Sequence, residues 1–148
     1  MTFMKRSFLL LLLMIVTVIT KAAPAADYGK VVPVPDKIVL NAKGGAFALS
    51  ASTAIYYTAG NADMERNAQF LAQYIKDMTK LSLTPTAVKG KAKGGISLVL
   101  NAKAKLAPEA YEVVVDKKGV TITGKTAAGV FYGIQTLRKA LPILKSAE

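Results

Sequence analysis

The chain has 148 residues, with 20 lysine and arginine against nine aspartate and glutamate and a net charge of +11. It contains neither cysteine nor histidine. Disulfides and thiol chemistry are excluded, as are Ser-His-Asp and Cys-His catalysis and almost every zinc site.

The chain opens on a short basic head, Lys5 and Arg6. Phe8 to Ile19 is then apolar apart from Thr17, and Ala22, Ala23, Ala25 and Ala26 follow. Basic head, apolar stretch and small-residue exit are the parts of a secretory signal peptide. Residues 1–26 are therefore expected to be removed, leaving the protein periplasmic or secreted. The competing reading is a retained anchor, but an apolar run of about a dozen residues is short of the roughly 20 that span hydrocarbon. No stable membrane span is expected after cleavage. Residues 27–148 are expected to form one domain, large enough for its own core. Lys5, Arg6 and Lys21 leave with the signal while all the acids stay, so the net charge falls from +11 to +8.

After a proline-bearing lead-in, VVPVPDK, three strands are predicted: Lys37–Asn41, Ala46–Ser50 with Phe47 and Leu49 on one face, and Thr53–Thr58. Gly44-Gly45 supplies the turn between the first two. Gly60-Asn61 breaks the pattern. Met64, Ala68, Leu71, Ile75 and Met78 then recur at helical spacing. Asn61 or Asp63 can cap that helix, and Lys76 and Lys80 suit its end. Leu83–Val88 is a weaker strand, placed at a sheet edge by Pro85. Ile96–Asn101 is a strand with Ile96, Leu98 and Leu100 on one face. Tyr111–Asp116 and Val120–Thr123 read as a hairpin whose Asp116-Lys117-Lys118-Gly119 suits a type I turn. A last helix runs from Thr126 to Pro142, with Val130, Phe131, Ile134, Leu137 and Leu141 as its buried stripe. These elements predict an α+β fold: a largely antiparallel or mixed sheet with two main helices packed on one face.

The positive charge would suit nucleic acid or an anionic polysaccharide. The lysines are scattered, however, and the nearest cluster, Lys89, Lys91 and Lys93 in KGKAKGG, has no interleaved aromatics to stack bases. No nucleic-acid partner is expected. Gly119–Thr126 matches the phosphate-binding pattern G-x-x-x-x-G-K-[ST], with Lys125 in the place of the phosphate-binding lysine. Three features oppose that reading. VTIT alternates as a strand does, the preceding DKKG makes the neighbouring strand antiparallel, and few residues remain for a nucleotide-binding sheet. No ATP is expected.

Asp63, Glu65, Glu109, Glu112 and Asp116 read as solvated acids, since none is paired by spacing. Tyr56, Tyr57, Tyr111 and Tyr132 read as packing residues that would otherwise offer rings to sugars. Gly129 and Gly133 lie on one face of the last helix and permit close approach to the sheet or to another domain. Gln135 and Arg138 lie off its apolar stripe, facing solvent or a neighbouring domain.

VVPVPDKI, the helix bearing Asn67-Ala68-Gln69-Phe70-Leu71, and above all YEVVVDKKGVTITGKTAAGVFYGIQTLRKALP at 111–142 resemble the small non-catalytic domain that precedes the barrel in family 20 glycoside hydrolases, the β-N-acetylhexosaminidases. The resemblance implies an α+β layer beside a (β/α)8 barrel. In such proteins the barrel carries an adjacent Asp-Glu pair, the Glu as general acid and the Asp orienting the substrate's own acetamido nucleophile. This sequence has no Asp-Glu dipeptide, no tryptophan and none of the about 250 residues a barrel needs. No catalytic, cofactor-binding or metal-binding residue is assigned. The expectation is an exported accessory domain of a β-N-acetylhexosaminidase-like hydrolase, truncated before its barrel and not catalytic alone. The alternatives are a free-standing glycan- or envelope-binding module, or a domain that folds poorly without a barrel over its last helix and LPIL.

Overall fold

The computed structural model describes residues 36, 37, 39, 45–90 and 92–141. The expected signal, the lead-in, most of the strand expected at Lys37–Asn41, and Pro142 lie outside the described residues. In chain order the elements are β1 (Ile55–Thr58), α1 (Ala62–Thr79), β2 (Pro85–Val88), β3 (Gly95–Leu100), β4 (Tyr111–Asp116), β5 (Gly119–Gly124) and α2 (Ala127–Ala140).

The five strands form one mixed sheet in the order β2-β1-β3-β5-β4. Both helices lie on one face, α1 against β1 and β2, α2 against β5 and β4, with the helices touching each other. The α+β architecture with a mixed sheet is as expected; the balance of pairing is not. β1 is parallel to β2 and to β3, and β3 is parallel to β5. Only the β4–β5 hairpin is antiparallel. The reason is the connection: α1 carries the chain back along β1, so β2 must start at the same end and run the same way. The chain then returns past β1 to begin β3.

α1 forms where the apolar stripe predicts it: Met64, Ala68, Leu71 and Ile75 are fully buried. Asn61 is its cap, the side chain accepting from the Met64 N–H at 3.0 Å. The helix stops at Lys80, held left-handed at φ 63° with its N–H donating to the Lys76 carbonyl. β2 is an edge strand as Pro85 required, and Pro85 is its first residue, where the missing N–H costs least. Neither Lys117 nor Lys118 has positive φ, which excludes types II, I′ and II′ for the hairpin turn and accords with the expected type I. Asp116 accepts from the N–H groups of Lys118 at 2.7 Å and Gly119 at 3.1 Å.

Two local expectations change. Residues 46–50 are irregular rather than a strand, although Phe47 and Leu49 still pack against the core. Ser50 and Thr53 bend the chain there: the Ser50 N–H donates to the Thr53 hydroxyl at 3.0 Å, and the Thr53 N–H to the Ser50 carbonyl at 3.0 Å. Such side-chain bonds compete with strand pairing. Phe131 also leaves the buried stripe of α2, whose core residues are Val130, Ile134 and Leu137. The core lies between this helix pair and Ile55, Ile96, Leu98, Val120 and Ile122 of the sheet.

Candidate functional site

The last helix is where the sequence placed most of its signals. Thr126 caps α2, its hydroxyl oxygen accepting from the Gly129 N–H at 3.1 Å and its O–H donating to the Pro108 carbonyl at 2.5 Å. Gly129 and Gly133 both face inward. A Cβ at Gly129 would stand 2.6 Å from the Ala110 carbonyl oxygen, and one at Gly133 would press on Ile122 and Tyr111. They seat α2 on the sheet and on the loop before β4. Of the two uses considered for these glycines, the structure shows contact with the domain's own sheet.

The outward side of the helix pair is aromatic. Phe131 packs on Phe70 of α1 with ring centroids 5.5 Å apart, and on Tyr132 at 6.1 Å. Phe70 and Tyr132 are 37% and 43% exposed, high values for rings of this size. The Arg138 guanidinium lies 4.8 Å from the centre of the Tyr74 ring. Gln135 steadies it by accepting from Arg138 Nη1 at 3.0 Å. The sequence had left Gln135 and Arg138 off the stripe; the structure joins them to each other and to Tyr74, which spacing alone had not singled out. The result is an aromatic ridge along the α1–α2 seam with a cationic end. Such a surface suits burial against another protein surface, where aromatics and arginine supply most of the binding energy. Asn67 fixes the two helices at the head of this seam, its amide N–H donating to the Ala127 carbonyl at 2.9 Å.

The other singled-out residues are dispersed. Tyr57 packs against the core, while the Tyr111 hydroxyl meets that of Thr136 at 2.5 Å. Tyr56 lies on the opposite face of the sheet, register partner of Ser97. Asp63 pairs with Arg66, and Glu65 accepts from Gln69 at 3.4 Å, each within its own helix. Glu109 and Glu112 are exposed. Among the described residues there is no cluster of three or more metal-ligating side chains, and no helix is long and apolar enough to cross a membrane. Gly119–Gly124, the would-be phosphate loop, is strand β5, paired on both sides by β3 and β4. Its antiparallel neighbour β4 is as expected, and β3 is an additional parallel one. The amides that would have to cradle a phosphate are thus part of a ladder, and Lys125 is exposed beyond it.

A family model, a curated relative and solved structures point to the same family. The family model described as glycosyl hydrolase family 20, domain 2, matches residues 29–147. A beta-hexosaminidase of Porphyromonas gingivalis is 31% identical over 120 residues, covering 80% of this chain and 15% of that protein. The fold superposes on the GH20 beta-N-acetylhexosaminidase from Streptomyces coelicolor with a TM-score of 0.71 and 30% identity, over 82% of this chain and 23% of that one. It superposes on the N-acetyl-beta-hexosaminidase of Streptomyces plicatus with a TM-score of 0.59 and 35% identity, over 67% of this chain and 19% of that one. The chain therefore spans under a quarter of the length of each of these relatives. With its mixed sheet, its seated glycine helix and this match, the chain belongs to glycosyl hydrolase family 20, as the N-terminal accessory domain of that family.

Proposed function

We propose that this chain is an exported accessory domain that supports the catalytic barrel of a β-N-acetylhexosaminidase-like enzyme and does not catalyse by itself. The carrying observation is that the family match is to domain 2, while among the described residues the exposed acids Asp63, Glu65, Glu109, Glu112 and Asp116 are spread over a helix, a loop and the β4–β5 hairpin. The parent reaction is release of a terminal N-acetylhexosamine from a glycan. Its chemistry belongs to an Asp-Glu pair on a barrel formed by other residues. The part of this domain is mechanical: the aromatic ridge of Phe70, Phe131 and Tyr132 gives the barrel a rigid apolar face to close against. Burial of large rings at such a face stabilises both partners.

Purified chain assayed on a chromogenic N-acetylglucosaminide tests the reading. No release above that of a mock preparation is expected. Turnover that tracks the purified protein would sink it.

A further inference from the structure

The sheet face turned away from the helices carries Tyr56, Ser97, Thr121 and Val114 as one row across β1, β3, β5 and β4. Beside this row, at the starts of β1, β3 and β5, lie two open clefts of about 270 and 370 Å³. They share Lys93, Gly94 and Gly95. Gly95 and Gly119 are register partners without side chains, and a Cβ at Gly119 would run into the Gly95 backbone. The divide between the clefts is therefore bare main chain. Glycines in strands often mark such close backbone approach.

The linings are complementary in chemistry. The first cleft is lined by Ser50, Ser52 and Thr53, whose hydroxyls hydrogen-bond among themselves, and by Phe47 and Tyr56. The second is lined by Lys118 and Thr121. Lys93 reaches both, and Lys93 and Lys118 are exposed with no carboxylate partner among the described residues. One acid, Asp116, lines the second cleft, and its Oδ1 already accepts from the Lys118 and Gly119 N–H groups. Two ammonium groups with no carboxylate partner among the described residues thus border a surface that carries serine and threonine side chains and two aromatic residues, Phe47 and Tyr56. An ammonium near an anion gives the stronger, charge-assisted hydrogen bonds. Hydroxyls satisfy sugar hydroxyls, and an aromatic side chain such as Tyr56 presents an apolar face to a sugar ring.

We propose that these paired clefts bind an anionic saccharide, a sugar carrying sulfate or carboxylate, with Lys93 and Lys118 holding the anionic groups. This site is independent of the aromatic ridge and of the accessory role, since it lies on the opposite face of the sheet.

Titration calorimetry of the full chain with a sulfated heparin-derived tetrasaccharide is the test, with neutral chitotetraose and oligothymidylate as comparators. Binding of the sulfated sugar and not of chitotetraose is expected. Lys93→Ala and Lys118→Ala should each weaken it roughly fivefold. Lys103→Ala and Lys105→Ala, equal in charge but beyond the far end of β3, should leave it unchanged. All four lysines are exposed, so folding is not at stake. Absence of heat, equal losses from both pairs of variants, or equally tight oligothymidylate binding through Lys93 and Lys118 would each overturn the proposal.

Discussion

A methyl group added at Gly129 would stand 2.6 Å from the Ala110 carbonyl oxygen, a backbone atom that cannot swing aside. Helix propensity favours alanine over glycine by up to about 1 kcal/mol. Forcing α2 off the loop costs more, about 1–3 kcal/mol for overpacking at a tight contact. Gly129→Ala should therefore be destabilising by about 1–2 kcal/mol in urea unfolding, despite the better helix former. Lys80 is the opposite case. It adopts a left-handed φ of 63° at the end of α1, which glycine takes without steric cost. Lys80→Gly should stabilise the fold by about 0.5 kcal/mol, after allowance for the extra freedom of glycine in the unfolded chain. A lower melting temperature for this variant would show that the Lys80 side chain contributes more than its backbone strain costs.

At the scale of elements, α2 is held by burial and by one polar tie. Ile134 is fully buried between α2 and the sheet. Ile134→Ala should cost about 3 kcal/mol, because a close-packed site collapses only partly around the missing atoms. The Asn67 amide donates to the Ala127 carbonyl, a contact between helices 60 positions apart in the chain. Asn67→Ala should cost about 1 kcal/mol, the net worth of one hydrogen bond. Both values come from the same denaturation series. The helices themselves were legible: α1 from its four-and-three spacing and Asn61, α2 from Thr126 and its apolar stripe. The direction of β2 and β3 was not. Strand direction depends on where a connection delivers the chain, and local periodicity carries no record of that.

At the scale of the whole molecule, the domain has two unlike faces. The helical face offers the ridge of Phe70, Phe131 and Tyr132; the open sheet face offers hydroxyls and lysines. Phe70→Ser with Tyr132→Ser should cost the chain only about 1 kcal/mol, because both rings are part-exposed and lose little beyond their contacts with Phe131. In a protein where a barrel follows the domain, the same pair should speed proteolytic cleavage between the two domains. Unchanged cleavage would place the barrel contact elsewhere. The proposed export has its own test: amino-terminal sequencing of the protein from its native host should begin close to Asp27, and a protein retaining Met1 would refute signal cleavage.

The sequence by itself determined the helices, the hairpin, the edge position of the proline strand and the family. The first three rest on neighbours within a few residues, through side-chain period, capping and turn chemistry; the family rests on a match that runs over residues 29–147. The tertiary structure decided the rest. It made the sheet predominantly parallel, turned Gly129 and Gly133 onto the sheet, moved Phe131 out of the core onto Phe70, and set Lys93 beside Lys118. Those outcomes depend on which distant segments meet, and burial and packing choose among them only once the chain has closed on itself.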